Sequence, residues 1–378
     1  MAVSENVTPT LAPRELTPMA LGGRIGALRE RFDRLGIDAL VVTELTNIRY
    51  LTGFTGSSAV LLVRPDDAVF VTDGRYKTQC AQELGDAGVS AEIEISSEGP
   101  EVAAAAAASG IAMLGLEADS VSWASQRRWS SELFDGELVA TTSAVEDLRL
   151  VKDPGELERI RSACAIADAA LASVQHRLVE GPTEKEFASE LEAAMMSLGA
   201  ADLSFDTIVA AGANGARPHH QPSERVVGDG DLVVIDFGAL VDGYHSDMTR
   251  TFTVGEVGAD RRRMLDVVTE AQAAGVELVG AGVEAAEVDA ACRAVIDDAG
   301  WGDAFLHGTG HGVGLDIHEE PRVSVRSTAT LRNGHVVTVE PGVYLPELGG
   351  VRVEDTLVVT DSGCERLTLA PKSPQPIQ

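Results

Sequence analysis

Two domains of different fold class are predicted: an α/β domain over residues 1–150, and an α+β domain of pseudo-twofold organisation over residues 151–378. Three observations predict them. Short β-rich runs alternate with helical stretches through the first part, the pattern of an α/β domain. Near residue 153 comes the first of two fully capped helix starts, which opens a new domain. Finally, "GDLVVID" (Gly230 to Asp236) and "GHVVTVE" (Gly334 to Glu340) repeat a glycine, a β-rich run and a terminal acid at identical offsets, so the second part reads as duplicated.

In chain order, "IDALVVT", "SAVLLVR", "AVFVTD", "IAMLGLE" and "ELVATT" are the expected strands of the first domain, rich in β-branched residues and short. Between them "RYKTQCAQEL", "EVAAAAAA" and "SWASQRRWSSELF" are expected helices, the alanine run by helix propensity. The second domain starts with a long helix, where Asp153 caps, Pro154 suits the first turn and Glu156 completes a capping box. Thr183 and Glu186 mark another helix start of the same kind. The boundary is placed at residues 148–153. Each repeated strand is followed by a glycine-containing connection and a second strand bearing another acid, Asp247 in "YHSDMTRTF" and Glu354 in "VRVEDTLVV". Two helical stretches precede each hairpin, the second pair being "DRRRMLDVVTEAQAAGVELV" and "EVDAACRAVIDDAG".

A chain of 378 residues carries a sizeable core without staples. Its cysteines, Cys80, Cys164, Cys292 and Cys364, form no C-x-x-C pair and read as buried small side chains of a reducing compartment. The first twenty residues have neither a basic start nor an apolar run, so a soluble, cytoplasmic protein is expected. The net charge of −29, with no basic patch, speaks against nucleic acid and anionic membranes as partners.

The duplication brings four carboxylates, Asp236, Asp247, Glu340 and Glu354, to strand ends that converge. Like charges that close raise one another's pKa unless a cation compensates, which a divalent metal does. The stretch "LHGTGHGVGLDIHEE", Leu306 to Glu320, supplies imidazole and a glycine-rich backbone. Its His307 and His311 are four apart, but the intervening "GTG" argues against one helical face. Oxygen donors plus an imidazole suit Mn²⁺, Co²⁺ or Zn²⁺, and carboxylates can bridge two ions about 3.5 to 4 Å apart. H-E-x-x-H, the glycine-rich phosphate loops and G-x-S-x-G are absent from the sequence.

The stretches "TIVAAGANGARPHH", "VVIDFGALVDGYHSDMTRTF", "HGTGHGVGLDIHEEPR" and "VTVEPGVYLPELGGVRVEDT" together resemble the Xaa-Pro peptidases, prolidase and aminopeptidase P. These belong with the methionine aminopeptidase-like, pita-bread metallopeptidases. The resemblance spans residues 205–360, and the N-terminal domain resembles the family's creatinase-like domain more loosely. It implies a homodimer and a centre of two divalent ions, Mn²⁺ first, with Asp236, Asp247, His311, Glu340 and Glu354 as ligands. Asp247 and Glu354 would hold both ions, Asp236 one, His311 and Glu340 the other. His219, 17 residues before Asp236, matches the family's substrate-facing histidine better than His220, and His318 matches a second. His307 lines the same loop.

The implied chemistry is hydrolysis of Xaa-Pro bonds by metal-activated water, with His219 and His318 stabilising the oxyanion and Glu340 shuttling the proton. Arg322, in "HEEPRVS" with Pro321 setting a local turn, is expected to grip the free carboxylate of a dipeptide, which favours Xaa-Pro dipeptidase over aminopeptidase P. Arg352 is expected near ligand or substrate. An inactive binding module and a metal-free, creatinase-type hydrolase are the rival readings, and the full set of carboxylates speaks against both.

Overall fold

The computed structural model describes residues 16–372, which divide into two compact units, Pro18–Arg149 and the chain from Leu150 onward together with residues 16 and 17. In the first unit the helices are α1 (Arg24–Arg29), α2 (Phe32–Leu35), α3 (Leu45–Thr52), α4 (Lys77–Asp86), α5 (Pro100–Ala107), α6 (Trp123–Arg128) and α7 (Glu146–Arg149). Its strands are β1 (Ala39–Val42), β2 (Ala59–Val63), β3 (Ala68–Asp73), β4 (Glu92–Ser96), β5 (Met113–Glu117) and β6 (Glu137–Thr141). They form one mixed sheet in the order β4-β3-β2-β1-β5-β6. Apolar residues on one side, among them Val41, Val60 and Leu62, pack against Ala103, Ala104 and Ala105 of α5, so the alanine run is a helix that lies close to the sheet. The expected helix from Ser122 is α6 continued by a π-turn, Trp129–Leu133.

Two elements of this unit were not anticipated. Strand β4 alternates Glu92, Glu94 with Ile93, Ile95 at the edge of the sheet, where even its isoleucines are more than a third exposed. The short helix α3, between β1 and β2 in the chain, packs Ile48 and Leu51 inward.

The second unit begins with α8 (Pro154–Val174) and α9 (Glu184–Ser197), each closed by the expected capping box, Asp153 with Glu156 and Thr183 with Glu186. After β7 (Asp202–Leu203) come β8 (Ile208–Ala211), β9 (Leu232–Phe237), β10 (Ala239–Val241), β11 (Tyr244–His245) and β12 (Met248–Thr253). The second half repeats the plan with α10 (Ala259–Leu278) and α11 (Ala285–Asp298), then β13 (Gly310–Gly312), β14 (Glu319–Val323), β15 (Val336–Val339), β16 (Gly342–Leu345), β17 (Gly349–Arg352), β18 (Asp355–Thr360) and β19 (Gly363–Arg366). The main sheets run β12-β9-β8 and β14-β13-β15-β18-β19, and each half has its own apolar core beneath its helix pair.

The duplication is visible in register. β9 pairs antiparallel with β12, Asp236 opposite Thr249, and β15 with β18, Val339 opposite Asp355, so that Glu340 and Glu354 leave the ladder side by side. The halves are stitched where these strands meet: Thr251 Oγ1 donates to the Arg352 carbonyl (2.8 Å), and Glu354 N donates to the Thr249 carbonyl (3.1 Å). Behind them the fully buried Arg250 guanidinium bonds Asp355 Oδ1 (2.9 Å), the Ala370 carbonyl and the Glu354 carbonyl. A buried cation that meets a carboxylate and carbonyls on all sides is compensated, as burial requires.

Pro321 lies inside β14 and not in a turn. β14 is an edge strand, where a missing N–H costs no ladder bond.

Candidate active site

The two acid-bearing hairpins and the glycine-rich strand β13 converge on the floor of a cleft of about 980 Å³. His219, Asp236, Asp247, His307, His311, His318, Arg322, Glu340 and Arg352 all line it, and Glu354 sits just behind, 1% exposed. Asp247, His311 and Glu354 each offer a donor atom within 4.8 Å of the others. His311 Nε2 stands 3.4 Å from Asp247 Oδ2 and 3.3 Å from Glu340 Oε1, which ties a third acid to the same point.

The imidazole is aimed. His311 Nδ1 donates to the Gly312 carbonyl at 2.9 Å, fixing the ring so that Nε2, the nitrogen a metal would take in place of a proton, faces the carboxylates. Its strand is seated by Thr338, whose hydroxyl accepts from His311 N (3.1 Å), and by the buried Asp289 of α11, which accepts from Thr309 N and Oγ1. The glycines of β13 serve close β-pairing: a Cβ on Gly310 would stand 2.0 Å from the Thr338 carbonyl, and one on Gly312 2.2 Å from the Glu320 carbonyl. Only glycine lets these strands close up.

Electrostatically, among the described residues, the four acids face only two cationic groups, His311 and Arg352. Burial, together with the neighbouring acids, pushes Asp247 up to about 7 and holds Asp236 and Glu354 above the usual carboxylate range. Glu340 goes the other way, down to about 2, because the hydrogen bond and charge of His311 outweigh its burial. Among the described residues, Asp236 Oδ1 and Glu354 Oε1 are buried with no hydrogen-bond partner, although their sister oxygens are engaged, Asp236 Oδ2 by Arg352 (2.5 Å) and Glu354 Oε2 by Thr249 (2.7 Å). Orphaned carboxylate oxygens in such a place are costly unless they face a cation. The donor set therefore fits divalent metal.

The remaining expected residues divide by geometry. His318 lies edge-on against His311, ring centroids 4.4 Å apart, and burial lowers its pKa. His219 is exposed on the cleft, whereas the next residue, His220, is buried with Nε2 2.8 Å from Glu184. His307 is committed to the protein at both nitrogens, Nδ1 to the Gly308 carbonyl and Nε2 to the Tyr344 hydroxyl, each at 2.8 Å. Arg352, expected near ligand or substrate, is 3% exposed and spends its donors on Asp236, Thr249 and Tyr344, which places it behind a carboxylate as an orienting group. Tyr344, Thr249, Thr338 and Asp289 were not picked out, since no local motif marks a residue whose role is to hold another. Cys80, Cys164 and Cys292 are buried as expected, but Cys364 is only half-buried.

The sequence from residue 158 to 361 matches the model of Metallopeptidase family M24, and residues 24–151 match the Creatinase/Prolidase N-terminal domain. The chain belongs to metallopeptidase family M24. It is 41% identical over 353 residues to an uncharacterized peptidase of Bacillus subtilis, covering 92% of this chain and 98% of that one. Among solved structures it superposes on an Xaa-Pro dipeptidase from Bacillus anthracis with TM-score 0.90 and 40% identity, covering 93% of this chain and 98% of that one. An X-Pro aminopeptidase from Thermotoga maritima superposes with TM-score 0.83 and 36% identity, covering 91% and 99%. A creatinase-like N-terminal domain and a pita-bread catalytic domain are thus the architecture of this metallopeptidase, and divalent metal is the family's cofactor. No helix among the described residues is long and apolar enough to cross a membrane.

A salt bridge beneath the cleft of this M24 peptidase yields a stability prediction. Lys152 Nζ meets Glu319 Oε2 at 2.8 Å, their side chains 1% and 7% exposed. Glu319 also accepts from Asp316 N, so the ion pair braces the turn that carries His318. Lys152→Met strips a buried carboxylate of its cation and is expected to cost about 3–5 kcal/mol in denaturant unfolding. The double variant Lys152→Met/Glu319→Leu recovers most of that loss.

Proposed function

We propose that this peptidase hydrolyses Xaa-Pro bonds with two divalent ions, Mn²⁺ in the first place, and that its preferred substrate is the Xaa-Pro dipeptide. The assignment of a two-ion centre rests on the buried donor set with its two orphaned oxygens, where Asp247 and Glu354 would bridge, Asp236 would complete one ion, and His311 and Glu340 the other. Bound there, such ions act as Lewis acids and lower the pKa of water toward neutrality. The protein's own groups do the rest. His219 and His318, which both line the cleft, the second against His311, would donate to the oxyanion as the carbonyl carbon is attacked. Glu340, on the floor of the cleft beside His311, takes the proton from the attacking water and delivers it to the proline nitrogen as the C–N bond breaks. Proline's missing N–H and fixed φ exclude the extended binding mode of common protease clefts, so a dedicated pocket is needed.

The dipeptide preference is carried by one observation. Arg322 lines the cleft while its Nε is 3.9 Å from Glu320, a loose contact, and Glu319 is held by Lys152. A half-exposed guanidinium at that place can take a substrate carboxylate in bidentate fashion. In a dipeptide that carboxylate is free beside the scissile bond; in a longer peptide it is consumed in the next amide. Arg322→Ala is expected to slow Xaa-Pro hydrolysis by about 10- to 100-fold, the ~1.4–3 kcal/mol of a charge-assisted pair, and to change Xaa-Pro-Yaa cleavage far less. Comparing both substrates with Mn²⁺, Co²⁺ and Zn²⁺ tests it. Equal losses, or a wild type that prefers the tripeptide, would move the assignment to Xaa-Pro aminopeptidase. The same reading includes a homodimer, implied by the family resemblance alone, and a cytoplasmic location, in keeping with free, mostly buried cysteines.

A further inference from the structure

The loop that carries His219 is organised around one carboxylate, and it belongs to a residue that no motif marks. Glu184 is the first residue of α9, directly after the Thr183 cap. An acid there ordinarily sits in solvent near the positive end of the helix. Glu184 is instead 0% exposed and folds back into the loop of residues 211–223. Its Oε1 accepts from Ala211 N (2.7 Å) and Asn214 Nδ2 (3.0 Å). Its Oε2 accepts from Ser223 Oγ (2.6 Å), His220 Nε2 (2.8 Å), Ser223 N (3.0 Å) and Asn214 Nδ2 (3.2 Å).

These donors flank His219 on both sides in the chain, Ala211 and Asn214 before it, His220 and Ser223 after it. A carboxylate only accepts, so His220 must carry its proton on Nε2 and point inward. His219, the adjacent residue, is then left exposed on the cleft. Burial disfavours the charged form of Glu184, but the bonds from Ala211, Ser223, Asn214 and His220 prevail and hold the carboxyl below its usual range. The backbone agrees: Glu184 N donates to the Arg225 carbonyl at 3.0 Å, closing the far end of the loop onto the same helix start.

We propose that Glu184 is a positioning residue for hydrolysis, its carboxylate folding the 211–223 loop into the arrangement that presents His219 to the substrate. This rests on His219 contacting the substrate in the proposed reaction. An amide cannot replace the acid, because the Gln NH₂ would face N–H and O–H donors where an acceptor is required. Shortening by one methylene keeps the charge but not the reach.

The test is a double-variant cycle read as kcat on an Xaa-Pro dipeptide, with metal content and circular dichroism measured in parallel. Glu184→Gln is expected to lose about as much kcat as His219→Ala, roughly 10²- to 10³-fold, with metal content unchanged and with Glu184→Asp recovering part of the rate. The double variant Glu184→Gln/His219→Ala is expected to be no slower than His219→Ala alone, because both remove the same contact. A scaffold defect would not produce that non-additivity. Losses that multiply, or wild-type kcat in Glu184→Gln, would overturn the inference. If Glu184→Gln does not fold, Ser223→Ala and His220→Ala take its place in the cycle: non-additive losses with His219→Ala support the inference, and losses that multiply overturn it. His219→Ala at wild-type rate with metals bound would instead sink the reading of His219 itself, and the inference with it.

Discussion

Glu354→Gln is expected to purify as a folded protein that binds fewer metal ions and hydrolyses Xaa-Pro dipeptides at least roughly 10³-fold more slowly than wild type. The residue is 1% exposed, one oxygen takes a hydrogen bond from Thr249, and the other has no protein partner. In the amide, the atom facing the cation is neutral oxygen or an NH₂, and neither bridges two ions. Removing the charge also relieves its repulsion with Asp247, Glu340 and Asp236, which adds to burial in raising its pKa. Hence the metal-free variant should be no less stable than the metal-free wild type while its activity is gone. Asp247→Asn is expected to behave the same way. Ion counting and unfolding curves on the same preparations check both statements, and a Glu354→Gln protein with two ions and normal turnover would refute the ligand assignment.

The acid cluster also sets a pH dependence whose sign can be worked out. The folded, metal-free chain keeps the proton of Asp247 up to about pH 7, whereas the unfolded chain releases it near 3.8. Between those values the folded state binds the extra proton, so this group's contribution to stability falls as pH rises from about 4 to about 7 and is level above. Metal must displace that proton, so metal affinity should climb over the same window. Melting the stripped and loaded proteins across it reads the effect as a gap that widens toward neutral pH; a gap independent of pH would contradict it.

His219→Ala is expected to lose about 10²- to 10³-fold in kcat, the ~2.7–4 kcal/mol of one oxyanion donor, while keeping its metals. The geometry separates it from the ligands: His219 lies on the cleft, on a loop anchored by Glu184, and not among the clustered donor atoms. His220→Ala should differ in kind, since His220 is buried against Glu184 and acts only through the loop. Metal content distinguishes this class from the ligand class. A His219→Ala protein that had lost its ions would place His219 in the first coordination sphere and undo the division of roles.

Much of this site was legible in the sequence because duplication leaves a trace: "GDLVVID" and "GHVVTVE" announce two equivalent strands, and a terminal acid on each predicts a shared focus. The capping boxes at Asp153 and Thr183 were legible for a local reason, since a cap depends on residues three apart. What was missed depends on distant chain. β4 has no buried face, so alternation of Glu with Ile carries no burial signal. β13 and β17, "GHG" and "GGVR", are strands only because glycine allows close pairing, against their low intrinsic β-propensity. Pro321 reads as a turn residue until the edge position of β14 is known. Arg352 reads as near ligand or substrate, and which of the two it touches depends on Asp236, 116 residues away and 2.5 Å from it. Glu184 and Tyr344 have no signal at all, because their partners are brought in by the fold.

The central claim is that buried carboxylates and one imidazole hold two divalent ions for hydrolysis of Xaa-Pro bonds. The most direct measurement is to strip the protein with chelator, titrate Mn²⁺ back by calorimetry, and follow Xaa-Pro dipeptide hydrolysis on the same samples. The account predicts no hydrolysis in the stripped protein, two ions bound per chain at saturation, and activity that returns as the sites fill. Full hydrolysis by chelator-stripped protein, or saturation without any ion bound at Asp247, His311 and Glu354, would contradict it.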